Sequence, residues 1–247
     1  MNSAATINST TLRYSAGGKN LLSHLYVNEK QQASRAGVVV LGEWWGMNDH
    51  LQKQARRLAE LGYVTLAADV YGDGYVANNP AEAKAAMDGL FGNMTATAER
   101  LTAAVNALAA RPEVDASRLG AMGYCLGGAL SLHAARIGLP LLGVVSFHGA
   151  LSKTHAANKG EVRAAVLICH GDEDKLISAA DFAGFREEMK TLELDWTLKV
   201  YPGAMHGFTN PGATEKGKKY DMPLKYNAQA DKQSWADMTE FWARVLA

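Results

Sequence analysis

From Val38 onward, short apolar runs alternate with stretches in which apolar residues recur every three to four positions. Compact apolar runs bounded by turn residues read as strands buried on both faces, and the longer recurrence reads as helices laid against them. The strand candidates are residues 38–41, 64–68, 119–124, 143–147, 165–169 and 197–201. Between them, Leu51, Ala55, Leu58 and Leu61 fall on one helical face, as do Leu101, Val105 and Leu108, and again Phe182, Phe185, Met189 and Leu192. A closing helix is expected over 229–247, with Trp235, Met238, Trp242 and Val245 on its buried side. Ahead of this alternation, segments 6–14 and 21–27 flank Gly17-Gly18 and predict an antiparallel hairpin. The pattern is that of an α/β fold, a mostly parallel central sheet flanked by helices on both faces, with an N-terminal antiparallel hairpin. No repeat, low-complexity tract or long linker divides the chain, so residues 1–247 are expected to form one domain. The least regular stretches, 71–80 and 209–225, follow strands on the side where open α/β sheets bind ligands, and are expected to wall or cover a pocket.

Composition narrows the function classes. The 247 residues carry 25 Lys+Arg and 25 Asp+Glu, with no basic stripe, so neither nucleic acid nor a membrane surface is an expected partner. The only two cysteines, Cys125 and Cys169, close predicted parallel strands, which favours free thiols over a disulfide framework. Residues 1–11 are polar and lack the pattern of a secretory signal, and no apolar run approaches the roughly twenty residues of a membrane span. The expectation is a cytoplasmic protein, a monomer or small homo-oligomer.

The most informative stretch is Gly123-Tyr124-Cys125-Leu126-Gly127-Gly128, which follows an apolar strand. A nucleophile on a sharp strand-to-helix turn needs glycine two positions away on each side, because a Cβ there would meet backbone, and Gly123 and Gly127 satisfy that need. The turn also sets the first N–H groups of the next helix beside the reacting atom, ready for negative charge. The run reads as a nucleophile elbow carrying cysteine, although a plain tight turn before a packed helix has the same pattern.

A cysteine nucleophile needs a base for its proton and a carboxylate to hold the base. Both follow in the order nucleophile, acid, histidine. The acid is Asp174 or Asp172 in His170-Gly171-Asp172-Glu173-Asp174-Lys175-Leu176-Ile177, and the spacing to the following apolar residues favours Asp174. The base is His206, in a loop just past the last strand. His170 beside the acid turn reads as structural, and His148 either lines the pocket or packs against a loop. No close His pair or Cys-x-x-Cys points to a metal, and no cofactor is expected. After the first central strand, Gly42-Glu43-Trp44-Trp45-Gly46 occupies the place of the loop that supplies a second oxyanion N–H, from Trp44, with Leu126 supplying the first. Glu43, between an apolar strand and two tryptophans, is costly to desolvate without a role.

These motifs, in order and spacing over nearly the whole length, resemble the dienelactone hydrolase family of α/β-hydrolases. The resemblance implies an ester or lactone hydrolase with Cys125 as nucleophile and His206 and Asp174 completing its triad. It also implies that Glu43 holds the resting thiol and accepts its proton once substrate displaces it. One feature departs from the family: its arginines for a substrate carboxylate have no counterpart here. The fourth position after His206 is Asn210, and no arginine lies between Arg57 and Arg100. A neutral ester or lactone is therefore expected, in a pocket lined by Trp44, Trp45, Tyr75, His148 and Phe208. Two other readings remain at this stage: promiscuous cleavage of other activated esters such as aryl phosphotriesters, and a non-catalytic small-molecule binding or redox-sensing domain.

Overall fold

The computed structural model describes residues 6–31 and 33–247, so the first five residues of the polar segment 1–11 lie outside the described residues. In chain order the elements are β1 (Ile7–Ala16), β2 (Lys19–Asn28), β3 (Arg35–Leu41), α1 (Asp49–Glu60), β4 (Val64–Ala68), α2 (Pro80–Phe91), α3 (Met94–Ala109) and β5 (Val114–Tyr124), followed by α4 (Leu126–Arg136), β6 (Gly143–Phe147), β7 (Ala165–Gly171), α5 (Ala179–Leu192), β8 (Trp196–Tyr201), α6 (Ala213–Tyr220) and α7 (Ala228–Val245). The strands form one eight-stranded sheet in the order β1-β2-β4-β3-β5-β6-β7-β8. The chain divides into two compact units, Met1–Ala121 and Met122–Ala247, and the division falls inside β5.

In the first unit, β1 and β2 pair antiparallel from Ile7↔Asn28 to Ala16↔Lys19, the hairpin expected over Gly17-Gly18. β3 and β4 are parallel, and every residue of β4 is buried, as its continuous apolar run requires. Each fully buried Val or Leu there contributes about 1.5–3 kcal/mol. Asn48 caps α1 by accepting from the Leu51 amide, and Leu51, Ala55 and Leu58 are buried as their period predicts. Leu61 is a correction: α1 ends at Glu60, so residue 61 leaves the helical period and stands 46% exposed. Asn79 followed by Pro80 starts α2, the cap residue and first-turn proline in their favoured places.

In the second unit, β6, β7 and β8 are parallel, with Phe147 opposite Cys169 and Gly171 opposite Tyr201. This register sets the loops after the three strands at one end of the sheet. A capping box between Ser178 and Asp181 starts α5. In α7 the buried stripe runs through Ala230, Ser234, Met238, Phe241 and Trp242, while Trp235 and Val245 lie at its margin and are only half-buried. Segment 209–225 is more regular than its polar, glycine-rich sequence predicts, because it contains the eight-residue α6.

Candidate active site

Cys125 is the single residue between β5 and α4, and its backbone sits at φ 54°, ψ −114°. A side-chain-bearing residue in so sparse a region costs about 1–3 kcal/mol, which the surroundings must offset. The Cys125 amide donates to the Phe147 carbonyl at 3.0 Å, and the Cys125 carbonyl accepts from the Ala129 amide at 3.2 Å. A Cβ on Gly123 would run into the backbone of Gly127, so the turn closes only because that position is glycine. No side chain caps α4. Its first-turn N–H groups, that of Leu126 foremost, therefore keep the partial positive charge of a helix start for an anion beside the sulfur.

Asp174 and His206 meet in the second unit. His206 Nδ1 and Asp174 Oδ2 are 2.8 Å apart, both residues buried. The other Asp174 oxygen accepts from the Leu176 amide at 3.0 Å, which fixes the carboxylate within its turn. Asp172, the rival candidate, is exposed. The acceptor at Nδ1 selects the tautomer that leaves Nε2 for proton transfer, and this buried nitrogen has no well-aligned partner. The Cys125 sulfur nonetheless acts on the ring through charge and a weaker hydrogen-bond contact. Burial pushes the His206 pKa down, but a negative charge on the Cys125 sulfur when it is deprotonated, the hydrogen bonds to Asp174 and Cys125 and the Asp174 charge outweigh it and raise the pKa to about 10. The other cysteine has no such setting: Cys169 is fully buried and its thiol is pushed up to about 12, chiefly by burial.

His148 stands next to this pair, its ring 4.9 Å from that of His206 and its Nε2 2.9 Å from Thr209 Oγ1. Phe208, expected to line the pocket, is fully buried, with its ring 5.2 Å from His148 and 5.5 Å from Tyr201. It backs the histidine and presents no surface of its own. His170, read as structural, packs its ring 4.5 Å from Phe182. Burial holds its pKa below the usual value against the pull of Asp174. The Thr209 partner was not legible in the sequence, where a lone threonine after the histidine loop carries no signal. Asn210 Oδ1 accepts from the Gly212 amide at 2.9 Å.

The remaining candidates lie in the first unit, around a turn in which the Gly46 amide donates to the Glu43 carbonyl at 3.2 Å. Glu43 and Trp45 are buried, Trp44 is half-buried, and the two indoles meet edge to face at 5.3 Å. Tyr75 lines a cavity of about 530 Å³ together with Tyr71, Lys19, Glu82 and Arg100. Arg100 is committed to the Val70 and Gly17 carbonyls at 3.0 and 2.9 Å. Sequence reading did not single out Tyr71, whose hydroxyl donates to the Trp44 carbonyl at 3.0 Å. Its place between Asp69 and two glycines was the available signal. Among the described residues no group of three or more His, Cys, Asp or Glu side chains is arranged to hold a metal ion, and no helix is long and apolar enough to cross a membrane.

The family model for dienelactone hydrolases matches residues 24–246. A solved structure, that of a dienelactone hydrolase-like promiscuous phosphotriesterase from metagenomic libraries, shares 34% identity over 98% of this chain and 99% of that chain, with a TM-score of 0.92. A probable 2-oxo-3-(5-oxofuran-2-ylidene)propanoate lactonase from Bradyrhizobium is 30% identical over 69% of this chain and 72% of its own length. An uncharacterised protein of Caenorhabditis elegans is 37% identical over 60% of this chain and 93% of its own length.

Proposed function

The chain belongs to the dienelactone hydrolase family, and from that membership we propose that it hydrolyses neutral carboxylic esters or lactones through a thioester on Cys125. The observation that carries the reading is the buried Asp174–His206 pair at 2.8 Å, coupled to a cysteine held at the start of an uncapped helix. In the proposed reaction substrate displaces Glu43, which takes the Cys125 thiol proton; the sulfur attacks the substrate carbonyl carbon, and the carbonyl oxygen takes the electron pair as an oxyanion. The N–H groups of Leu126 and Trp44 bind that oxyanion. Collapse expels the alkoxide, which takes a proton from His206. His206 then draws a proton from water for attack on the thioester, and Cys125 leaves as the thiolate and regains its proton from Glu43. Glu43 is assigned to the resting thiol: a carboxylate nearby opposes a second negative charge and protects the sulfur from oxidation.

A neutral substrate is supported by the missing arginine clamp. Asn210 replaces one arginine and cannot offer a bidentate guanidinium, and Arg100 is already bound to two carbonyls. Aryl phosphotriesters are a second substrate class, supported by the 34% identical phosphotriesterase. The same N–H groups that receive a carbonyl oxygen suit a P=O oxygen, with aryloxide as leaving group. Under the same reading the protein works in the cytoplasm as a monomer or small homo-oligomer, where its two free cysteines stay reduced.

The test is kcat/KM for a neutral aryl ester and for an anionic dienelactone, side by side, with Cys125→Ala as background. The proposal expects Cys125-dependent turnover that favours the neutral ester by about tenfold or more, the scale of a lost charge-assisted bond. Preference for the anion would overturn the substrate assignment.

A further inference from the structure

The Glu43–Gly46 turn is the piece of backbone to which the proposed function gives the second oxyanion donor. In a turn of this kind the central peptide, here Trp44–Trp45, can rotate between two orientations that differ in ψ of the first central residue and φ of the second. Trp44 shares its Cα between that peptide and the one bearing the Trp44 N–H, so a bond that anchors the Trp44 carbonyl also limits displacement of the Trp44 N–H. The carbonyl of the central peptide accepts from the Tyr71 hydroxyl at 3.0 Å.

Tyr71 is itself fixed from beneath. The buried Asp69 carboxylate accepts from the amides of Tyr71 and Gly72 through one oxygen, at 3.0 and 2.8 Å, and from those of Leu22 and Gly74 through the other, at 3.0 and 2.8 Å. Loop 71–77 then meets the turn again. The Met47 amide donates to the Tyr75 carbonyl and the Ala77 amide to the Trp45 carbonyl, each at 3.0 Å. Gly46, at φ 83°, lies so close to the Tyr75 carbonyl that a Cβ there would overlap it. Four hydrogen bonds on a carboxylate, a close backbone contact and a two-bond ladder place the loop whose tyrosine reaches the turn.

We propose that Tyr71 is a positioning residue for ester hydrolysis, locking the Trp44–Trp45 peptide so that the Trp44 N–H stays aimed at the oxyanion. This rests on the hydrolase reading above.

The experiment compares wild type with Tyr71→Phe, which keeps the ring that packs edge to face on Tyr75 at 5.8 Å. Tyr14→Phe is the control, since it removes another shielded hydroxyl, bonded to Ser23 Oγ at 2.7 Å. Three quantities are read: kcat and KM for a neutral aryl ester, the affinity of an aryl trifluoromethyl ketone that forms a tetrahedral oxyanion adduct, and the rate at which iodoacetamide alkylates Cys125 without forming an oxyanion. In Tyr71→Phe, kcat and ketone affinity should fall together by about tenfold, roughly one hydrogen bond, while KM and the alkylation rate stay within about twofold. Tyr14→Phe should change none of them. Unchanged kcat and ketone affinity would overturn the role of Tyr71, as would an equal loss in alkylation rate, which marks general damage to the site. Cys125→Ala separates the two levels. Turnover retained without the thiol overturns the hydrolase reading and this inference with it, whereas a dead Cys125→Ala beside an unaffected Tyr71→Phe overturns this inference alone.

Discussion

His206 is buried, which disfavours its charge, yet it lies between a carboxylate and a sulfur that favour it, and the second influence wins. Because its folded-state pKa lies above the unfolded value of 6.5, the charged ring stabilises the fold fully below that pH. That contribution is lost as pH rises toward about 10. In Cys125→Ala both upward contributions from the sulfur vanish, so the His206 pKa should drop. An NMR titration of the imidazole reads this directly, and an unmoved midpoint would show that Cys125 does not face the ring. Asp174→Asn should keep the fold and cut kcat by about 10⁴, since the amide can present the wrong group to Nδ1. Measuring kcat beside the thermal midpoint separates loss of catalysis from loss of structure. Choosing Asp174 over Asp172 was possible from spacing alone, because the residue two ahead of Leu176 can bond its amide and so turn inward. Nothing comparable announced Tyr71 or Thr209, whose roles depend on residues far away in the chain.

At the scale of elements, apolar period was a faithful guide where a segment is buried on one stripe or on both faces, as in β4, β6 and the Leu101, Val105 and Leu108 face of α3. It failed where a helix has little to bury: α6 presents only Ala213 and Gly217 inward, too few to make a pattern. It also failed at Leu61, where the period outlasts the helix. Helix α4, which follows Cys125, is fixed at its far end by a device that no pattern shows. Arg136 makes a buried bidentate pair with Glu188 of α5, at 2.9 and 2.8 Å, and donates to the Leu151 and Ser152 carbonyls at 3.1 Å each. Arg136→Ala leaves that carboxylate buried and alone, and should destabilise the protein by about 3–5 kcal/mol. Urea denaturation checks this; a loss below about 1 kcal/mol would show that Glu188 reaches solvent in the variant.

For the whole molecule, charge and sequence order both bear on function. Equal counts of 25 basic and 25 acidic residues give no field to steer an anion, so kcat/KM for a neutral ester should change less than about twofold between low and high salt. Steep salt dependence would point to a charged substrate and against the assignment made from Asn210. Asp174 and His206 could be paired in the sequence because each stands just past a strand, β7 and β8, where parallel pairing collects loops at one end. The measurement that tests the account most directly is the intact mass of the enzyme, quenched during turnover of a neutral aryl ester. The account predicts an added acyl group on the peptide containing Cys125, with both the adduct and turnover lost in Cys125→Ala. Undiminished turnover in Cys125→Ala would contradict it.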